Sequence, residues 1–167
     1  MSDYLVVGAG AIGAPLAQAL AHRHHQVRLV SRSGSGPEDP NITCVAADAK
    51  NADEVAELAS GTSAVFNCVN PAYHRWPTEW PPIANALLTS AESSGSVLVT
   101  LSNLYGYGRP TGAMTPDSPL SADYEKAQVR VKMWLDAKAA HDASRLRACE
   151  VRASDYIGPR ADSAMGE

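Results

Sequence analysis

Short apolar runs and longer stretches of helical spacing alternate along this chain. Residues 4–7 form an apolar run between Asp3 and Gly8, as a buried strand would. Residues 11–22 then carry Ile12, Leu16, Ala19 and Leu20 at the spacing of one helical face. Further strands are predicted over 27–30, 42–46, 64–69, 97–101 and 147–152. Helices are predicted over 52–59, with Val55, Leu58 and Ala59 facing inward, over 82–94, with proline in the first turn, and over 122–143. On the last of these, Met133, Trp134 and Leu135 are expected to face the sheet or a partner. The alternation predicts an α/β fold, a doubly wound parallel sheet of about six strands with helices on both faces.

Two stretches break the rhythm. Residues 31–40 are rich in Gly, Ser and Pro and are predicted to be a mobile loop. Residues 106–119 hold Gly106, Gly108, Pro110, Gly112, Pro116 and Pro119, a long loop beyond a strand end, where such sheets place their ligand sites.

Composition narrows the field. The 167 residues suit one domain over 1–167, and 45% apolar with 19% charged residues is ordinary for a globular protein. A net charge of −4 offers neither the basic footprint of a nucleic-acid binder nor a polybasic membrane patch. No signal peptide is expected, and no apolar run approaches the roughly 18 residues of a membrane span, so a cytoplasmic protein is expected. Cys44, Cys68 and Cys149 are odd in number, scattered and set in apolar runs, which predicts buried thiols and no metal site. His22, His24 and His25 close the first helix, where cations suit the dipole.

The most informative motif is Gly8-Ala9-Gly10-Ala11-Ile12-Gly13, a G-x-G-x-x-G between the first strand and first helix. Gly8 suits a tight turn, Gly10 leaves room for a pyrophosphate against the backbone, and Gly13 allows close helix–strand packing. The helix N-terminus, with Ala11 and Ile12, would point free N–H groups at phosphate. The second strand ends in Ser31-Arg32 with no acid before Glu38, and Arg32 suits the 2′-phosphate of NADP, with NAD as the alternative. Asp48, followed by Ala49, is either an adenine-amino acceptor or a turn residue before the next helix. The aromatics of Pro71-Ala72-Tyr73-His74-Arg75-Trp76 and Trp80 either wall a substrate pocket or pack their loop against the sheet or against a part of the protein outside this chain.

Together with Gly8 to Gly13 and Asp48-Ala49, three segments carry a family resemblance: Asn67-Cys68-Val69-Asn70, Leu101 to Gly108, and Val151 to Pro159. The chain resembles the NAD-dependent epimerase/dehydratase proteins of the extended or atypical short-chain dehydrogenase/reductase superfamily, in their cofactor-binding part. The resemblance implies that Asp48 contacts adenine and that Cys68, Val69 and Asn70 line the ribose side. It puts a substrate-bonding hydroxyl at Ser102, with Thr100 one slot away. It implies a small hydroxyl- or carbonyl-bearing substrate such as a nucleotide sugar, and it admits a homodimer.

The catalytic pair departs from that pattern. Related enzymes carry Tyr-x-x-x-Lys on the helix after the long loop, so that lysine lowers the tyrosine pKa. Here Tyr124 is followed four residues on by Gln128, and Lys126 lies only two away. Counting back without gaps from residues 152–159 instead sets Lys126 and Arg130 in the two slots. The resemblance thus implies Ser102, Tyr124 and Lys126 as catalytic candidates in an oxidoreductase-like protein. Relatives continue well past the Gly158-Pro159 segment, so the chain is expected to be the cofactor half. Two rival readings stand beside this one, a non-catalytic dinucleotide sensor and an inactive truncated product.

Overall fold

A computed structural model describes residues 3–157. Six parallel strands form one sheet: β1 (Asp3–Val7), β2 (Gln26–Ser31), β3 (Ile42–Ala46), β4 (Ala64–Asn67), β5 (Val97–Asn103) and β6 (Arg147–Ala153). Four helices connect them: α1 (Gly13–Ala21), α2 (Ala52–Ala59), α3 (Trp76–Ser94) and α4 (Glu125–Asp142). Single 3-10 turns stand at Tyr73–Arg75 and Tyr105–Tyr107. The strand order is β3-β2-β1-β4-β5-β6, so the winding reverses between β1 and β4. This is the Rossmann order, and the reversal opens a crevice at the C-terminal strand ends, where such sheets bind ligands.

The helices divide unevenly. On one face α2, α3 and α4 bury Val55, Trp80, Leu87 and Ala137 against Leu5, Val7, Val65 and Leu98. On the other, α1 packs Ala17 against Val6, Val27 and Leu29. The buried residues of α1 are Gly13, Ala14, Ala17 and Ala21, whereas Ile12, Leu16 and Leu20 are half-buried and Ala19 is exposed. Small side chains thus form the contact line, and the helix lies closer to the sheet than a leucine stripe would allow.

Two helices start three or more residues from their predicted positions. Helix α3 begins at Trp76, six residues before Pro82, and continues through Pro81 and Pro82. Proline removes backbone bonds, but Trp76 and Trp80 are 5% and 1% exposed, and their burial holds the early turns in place. Helix α4 begins at Glu125, because Tyr124 is still extended at φ −100°, ψ 147°.

Residues 32–41 have no helix and cross from β2 to β3 as a pinned segment. A Cβ on Gly36 would stand 2.6 Å from Cys44 Sγ and 2.8 Å from Leu29 Cδ2. The Ser31 hydroxyl donates to Ser35 O, and Asn41 accepts from Gln26 Nε2. The expected mobile loop is corrected to one tied to the sheet, because its glycines serve close packing. Cys149 corrects the expected burial of all three thiols: it is exposed, since it lies on the outer strand β6, while Cys44 and Cys68 are half-buried.

Candidate functional site

The glycine turn sits at the β1 end of the crevice. Gly8 has φ 105°, and a Cβ there would lie 2.6 Å from the Cys68 carbonyl oxygen. Gly13 is pressed against the Gly8 carbonyl and the Cys68 side chain, so both glycines are required by the fold. Gly10 differs: nothing lies within 4 Å of where its Cβ would be. The exposed residues Gly10 and Ala11 lead into α1, whose N-cap Ile12 supplies no side-chain bond and whose first turn holds no acid. Its leading N–H groups are therefore uncapped by side chains beside an open backbone, which fits a pyrophosphate.

Farther along the crest, Ser31 and Arg32 end β2. Arg32 is exposed and makes no ion pair or hydrogen bond among the described residues. Asp48 is exposed after β3; its Oδ1 accepts from Lys50 N at 3.0 Å, while Asn51 caps α2 by accepting from Glu54 N. The turn role of Asp48 thus uses one carboxylate oxygen and is compatible with adenine contact through the other. Ala49 packs against the core.

On the other side of the crevice, Cys68 N donates to Val7 O at 2.9 Å and Val69 N donates to Asn67 Oδ1 at 3.2 Å, leaving Asn70 exposed. Burial pushes the Cys68 thiol up to about 12, so it is a neutral wall and not a nucleophile. Ser102 is 5% exposed and lies at the end of β5, with its carbonyl accepting from the Tyr156 hydroxyl at 2.6 Å. Thr100 stands two residues earlier on the same strand.

The two remaining catalytic candidates do not converge as a tyrosine–lysine pair. Tyr124 precedes α4 and is 43% exposed. Partial burial, then Tyr73, Tyr105 and Asp123, hold its phenol above the ordinary value, opposite to what acid–base work at neutral pH needs. Lys126 places its ammonium 3.6 Å from the centroid of the Tyr73 ring. Four aromatic side chains form the rim around it. The centroid separations are 5.0 Å for Tyr73–Trp76, 5.9 Å for Trp76–Tyr105, 6.3 Å for Tyr73–Tyr105 and 6.4 Å for Tyr105–Tyr124. Trp76 and Trp80 belong to the buried core, so the packing reading of this loop holds for them.

Arg130, one helical turn beyond Lys126, is buried beneath this rim. Its guanidinium lies 4.5 Å from the Trp80 ring and donates to Leu101 O at 2.7 Å. Burial lowers its pKa, with Glu150 and Tyr156 opposing that shift. Next to it, Arg152 donates to Glu150 Oε2 and to the Tyr107 hydroxyl, each at 2.6 Å. Local spacing does not reveal this network, in which Arg152 and Tyr107 lie 45 positions apart. Gly158 and Pro159 lie outside the described residues.

The sequence profile of a family described as NAD(P)H-binding matches residues 8–151. No curated protein sequence matches the chain significantly. Among solved structures, the Bordetella bronchiseptica enzyme WbmH in complex with NAD+ superposes with a TM-score of 0.78 at 20% identity, over 98% of this chain and 59% of that one. UDP-glucose 4-epimerase from Brucella ovis in complex with NAD gives 0.81 at 17% identity, over 93% and 52%. A dTDP-glucose 4,6-dehydratase from Streptomyces venezuelae (DesIV double mutant, with NAD and DAU bound) gives 0.81 at 22%, over 97% and 59%. The chain thus spans between half and three-fifths of these relatives' lengths, and the likeness is one of fold. Among the described residues, no helix is long and apolar enough to cross a membrane.

Proposed function

The chain belongs to the NAD(P)H-binding family, and from that premise we propose that it holds NADP along the crest of β2, β1 and β4 as an oxidoreductase-like protein of the epimerase/dehydratase group. The observation that carries this reading is the open space at Gly10 beside an uncapped α1 N-terminus, between two glycines that the fold itself requires. The preference for NADP is supported by the unpaired Arg32 at the end of β2, where an acid would favour the 2′-hydroxyl of NAD. Ala11, Ile12, Ser31, Asp48, Ala49, Cys68, Val69 and Asn70 are the remaining proposed cofactor contacts.

Bound cofactor would supply a hydride donor or acceptor. The chain's own part is to orient a small hydroxyl- or carbonyl-bearing substrate near Ser102, with Tyr124 and Lys126 at the rim. Nucleotide sugars are one such class, in keeping with the enzymes of similar fold. The second reading is a dinucleotide-binding sensor without turnover. It is favoured by one observation, the phenol of Tyr124 being raised with no lysine one turn on. A homodimer is proposed through the face of α3 and α4 that holds a groove of about 800 Å³ lined by Pro81, Leu88, Val129 and Met133, with Leu135 of α4 also exposed, at 50%. Leu135→Glu should then shift the mass seen by light scattering from dimer to monomer. The cytoplasm is the proposed location.

Calorimetric titration with NADP and NAD tests the cofactor reading directly. Turnover then separates the two functional readings, using sugar nucleotides, alcohols and aldehydes as substrates and nicotinamide absorbance as the signal. Little or no turnover is expected. A robust rate abolished by Tyr124→Phe, or by Lys126→Ala, would defeat the sensor reading and assign the proton relay.

A further inference from the structure

Three tyrosine rings stand half-open to solvent at one place on the crest. Tyr73, Tyr105 and Tyr124 are 49%, 40% and 43% exposed, and they come from three different segments: the turn before α3, the turn after β5, and the start of α4. The rings meet at 81° for Tyr73–Tyr105 and 54° for Tyr105–Tyr124, so they present edges and faces to a common space instead of stacking closed. Trp76 and Trp80 back them from the core, which fixes the platform. A contiguous exposed aromatic patch beside a polar crevice marks a binding surface.

The charge at this patch is equally specific. Of the four lysines, Lys50, Lys132 and Lys138 each pair with a carboxylate. Lys126 has no carboxylate partner among the described residues; its ammonium rests on the Tyr73 ring, where an incoming anion can meet it. On the gap-free count Lys126 also stands where the resemblance sets a phenol, so there the site would offer a cation instead of a neutral hydroxyl. Arg130, one turn deeper, adds positive charge beneath the platform.

We propose that this crest binds an aryl carboxylate, its flat ring against Tyr73, Tyr105 and Tyr124 and its carboxylate on Lys126. The proposal rests on the cofactor reading above only in making this ligand the substrate beside the nicotinamide. The tyrosine hydroxyls and Asp123 could also meet a sugar, so the preference for an aryl ring rests on the ring faces and on Lys126, and titration with UDP separates the two classes. Aromatic faces and edges favour another aromatic ring.

The test is calorimetric titration of the purified chain with naphthoate, naphthamide, cyclohexanecarboxylate and UDP, each with and without NADPH. Naphthoate is expected to bind, the uncharged analogue about tenfold more weakly for one lost charged hydrogen bond, and the non-aromatic analogue roughly two- to tenfold more weakly for the lost ring contacts. Lys126→Met and Tyr105→Leu should each weaken naphthoate by a similar factor. Tyr105 is exposed and Lys126 half-buried, and unchanged circular dichroism would show that the variants fold. Absence of naphthoate binding, equal binding by both variants, or binding of UDP in preference to naphthoate would overturn the proposal. NADPH binding with no naphthoate binding sinks this inference alone. Failure of NADPH to bind sinks the cofactor reading, while the titrations without cofactor still decide the crest.

Discussion

A Cβ on Gly13 would collide with the carbonyl oxygen of Gly8, which closes the turn from β1 into α1. Gly10, between them, meets nothing. The three glycines of one motif therefore divide into two that the fold needs and one that it does not. Gly13→Val should cost more than about 4 kcal/mol and yield little folded protein. Gly10→Val should melt near the wild-type temperature yet lose dinucleotide binding. Thermal unfolding and calorimetry on the pair check this, and equal NADP affinity in wild type and Gly10→Val would remove the pyrophosphate from this turn.

Arg32 gives the second prediction. A charged hydrogen bond is worth about 1.5–3 kcal/mol, roughly a factor of ten to a hundred in affinity. Wild type should prefer NADP over NAD by a ratio of this order, and Arg32→Ala should erase most of it with little change in NAD affinity. A wild type that prefers NAD would refute the assignment.

The thiols should react in an order set by burial. Cys149 is exposed and should be labelled first by a thiol reagent, with Cys44 and Cys68 much slower. Cys68 also makes stability fall at high pH. Its ordinary value of 9.0 applies once unfolded, and about 12 applies in the fold, so between these values the folded state retains a proton the unfolded chain has released. The stability present below pH 9 then declines by about 1.4 kcal/mol per pH unit toward pH 12. Denaturant melts across that window should show a shallower slope in Cys68→Ala.

Two ion pairs should respond very differently to removal. The Glu150 and Arg152 side chains are 4% and 13% exposed, so Arg152→Met strands a buried carboxylate and should cost about 3–5 kcal/mol. The Lys132 and Asp136 side chains are 76% and 50% exposed, and Lys132→Met should cost less than about 1 kcal/mol. Urea unfolding of both variants measures the contrast. A small loss in Arg152→Met would mean that the network adds little to stability.

What could be read from the sequence was what local spacing encodes. The G-x-G-x-x-G turn, the alternation of strands and helices, and the bounds of β3 and α2 all rest on residues close together in the chain. The start of α3 was hidden because Pro81 and Pro82 argue against a helix, and only the burial of Trp76 and Trp80 overrules them. The crest was half visible. Tyr73 with Trp76, and Tyr124 with Lys126, stand out as two separate local groups, but their meeting with Tyr105 depends on the turn after β5, which no periodicity predicts. The bonds from Arg130 to Leu101 O and from Arg152 to the Tyr107 hydroxyl were hidden for the same reason, since each joins elements far apart in the chain.

The helix-free crossing from β2 to β3 bears on how tightly the cofactor can be held. A loose loop carrying Arg32 would have to surrender its freedom on each binding event, and that lost entropy would offset much of the gain from the phosphate contact. Here the ordering happens during folding. Gly36 is wedged against Leu29 and Cys44, Gly34 against Ala46, and Asn41 is tied to Gln26. Only the Arg32 side chain would then remain to be immobilised, so the selectivity proposed at this position would be built into the resting protein and need not await its ligand.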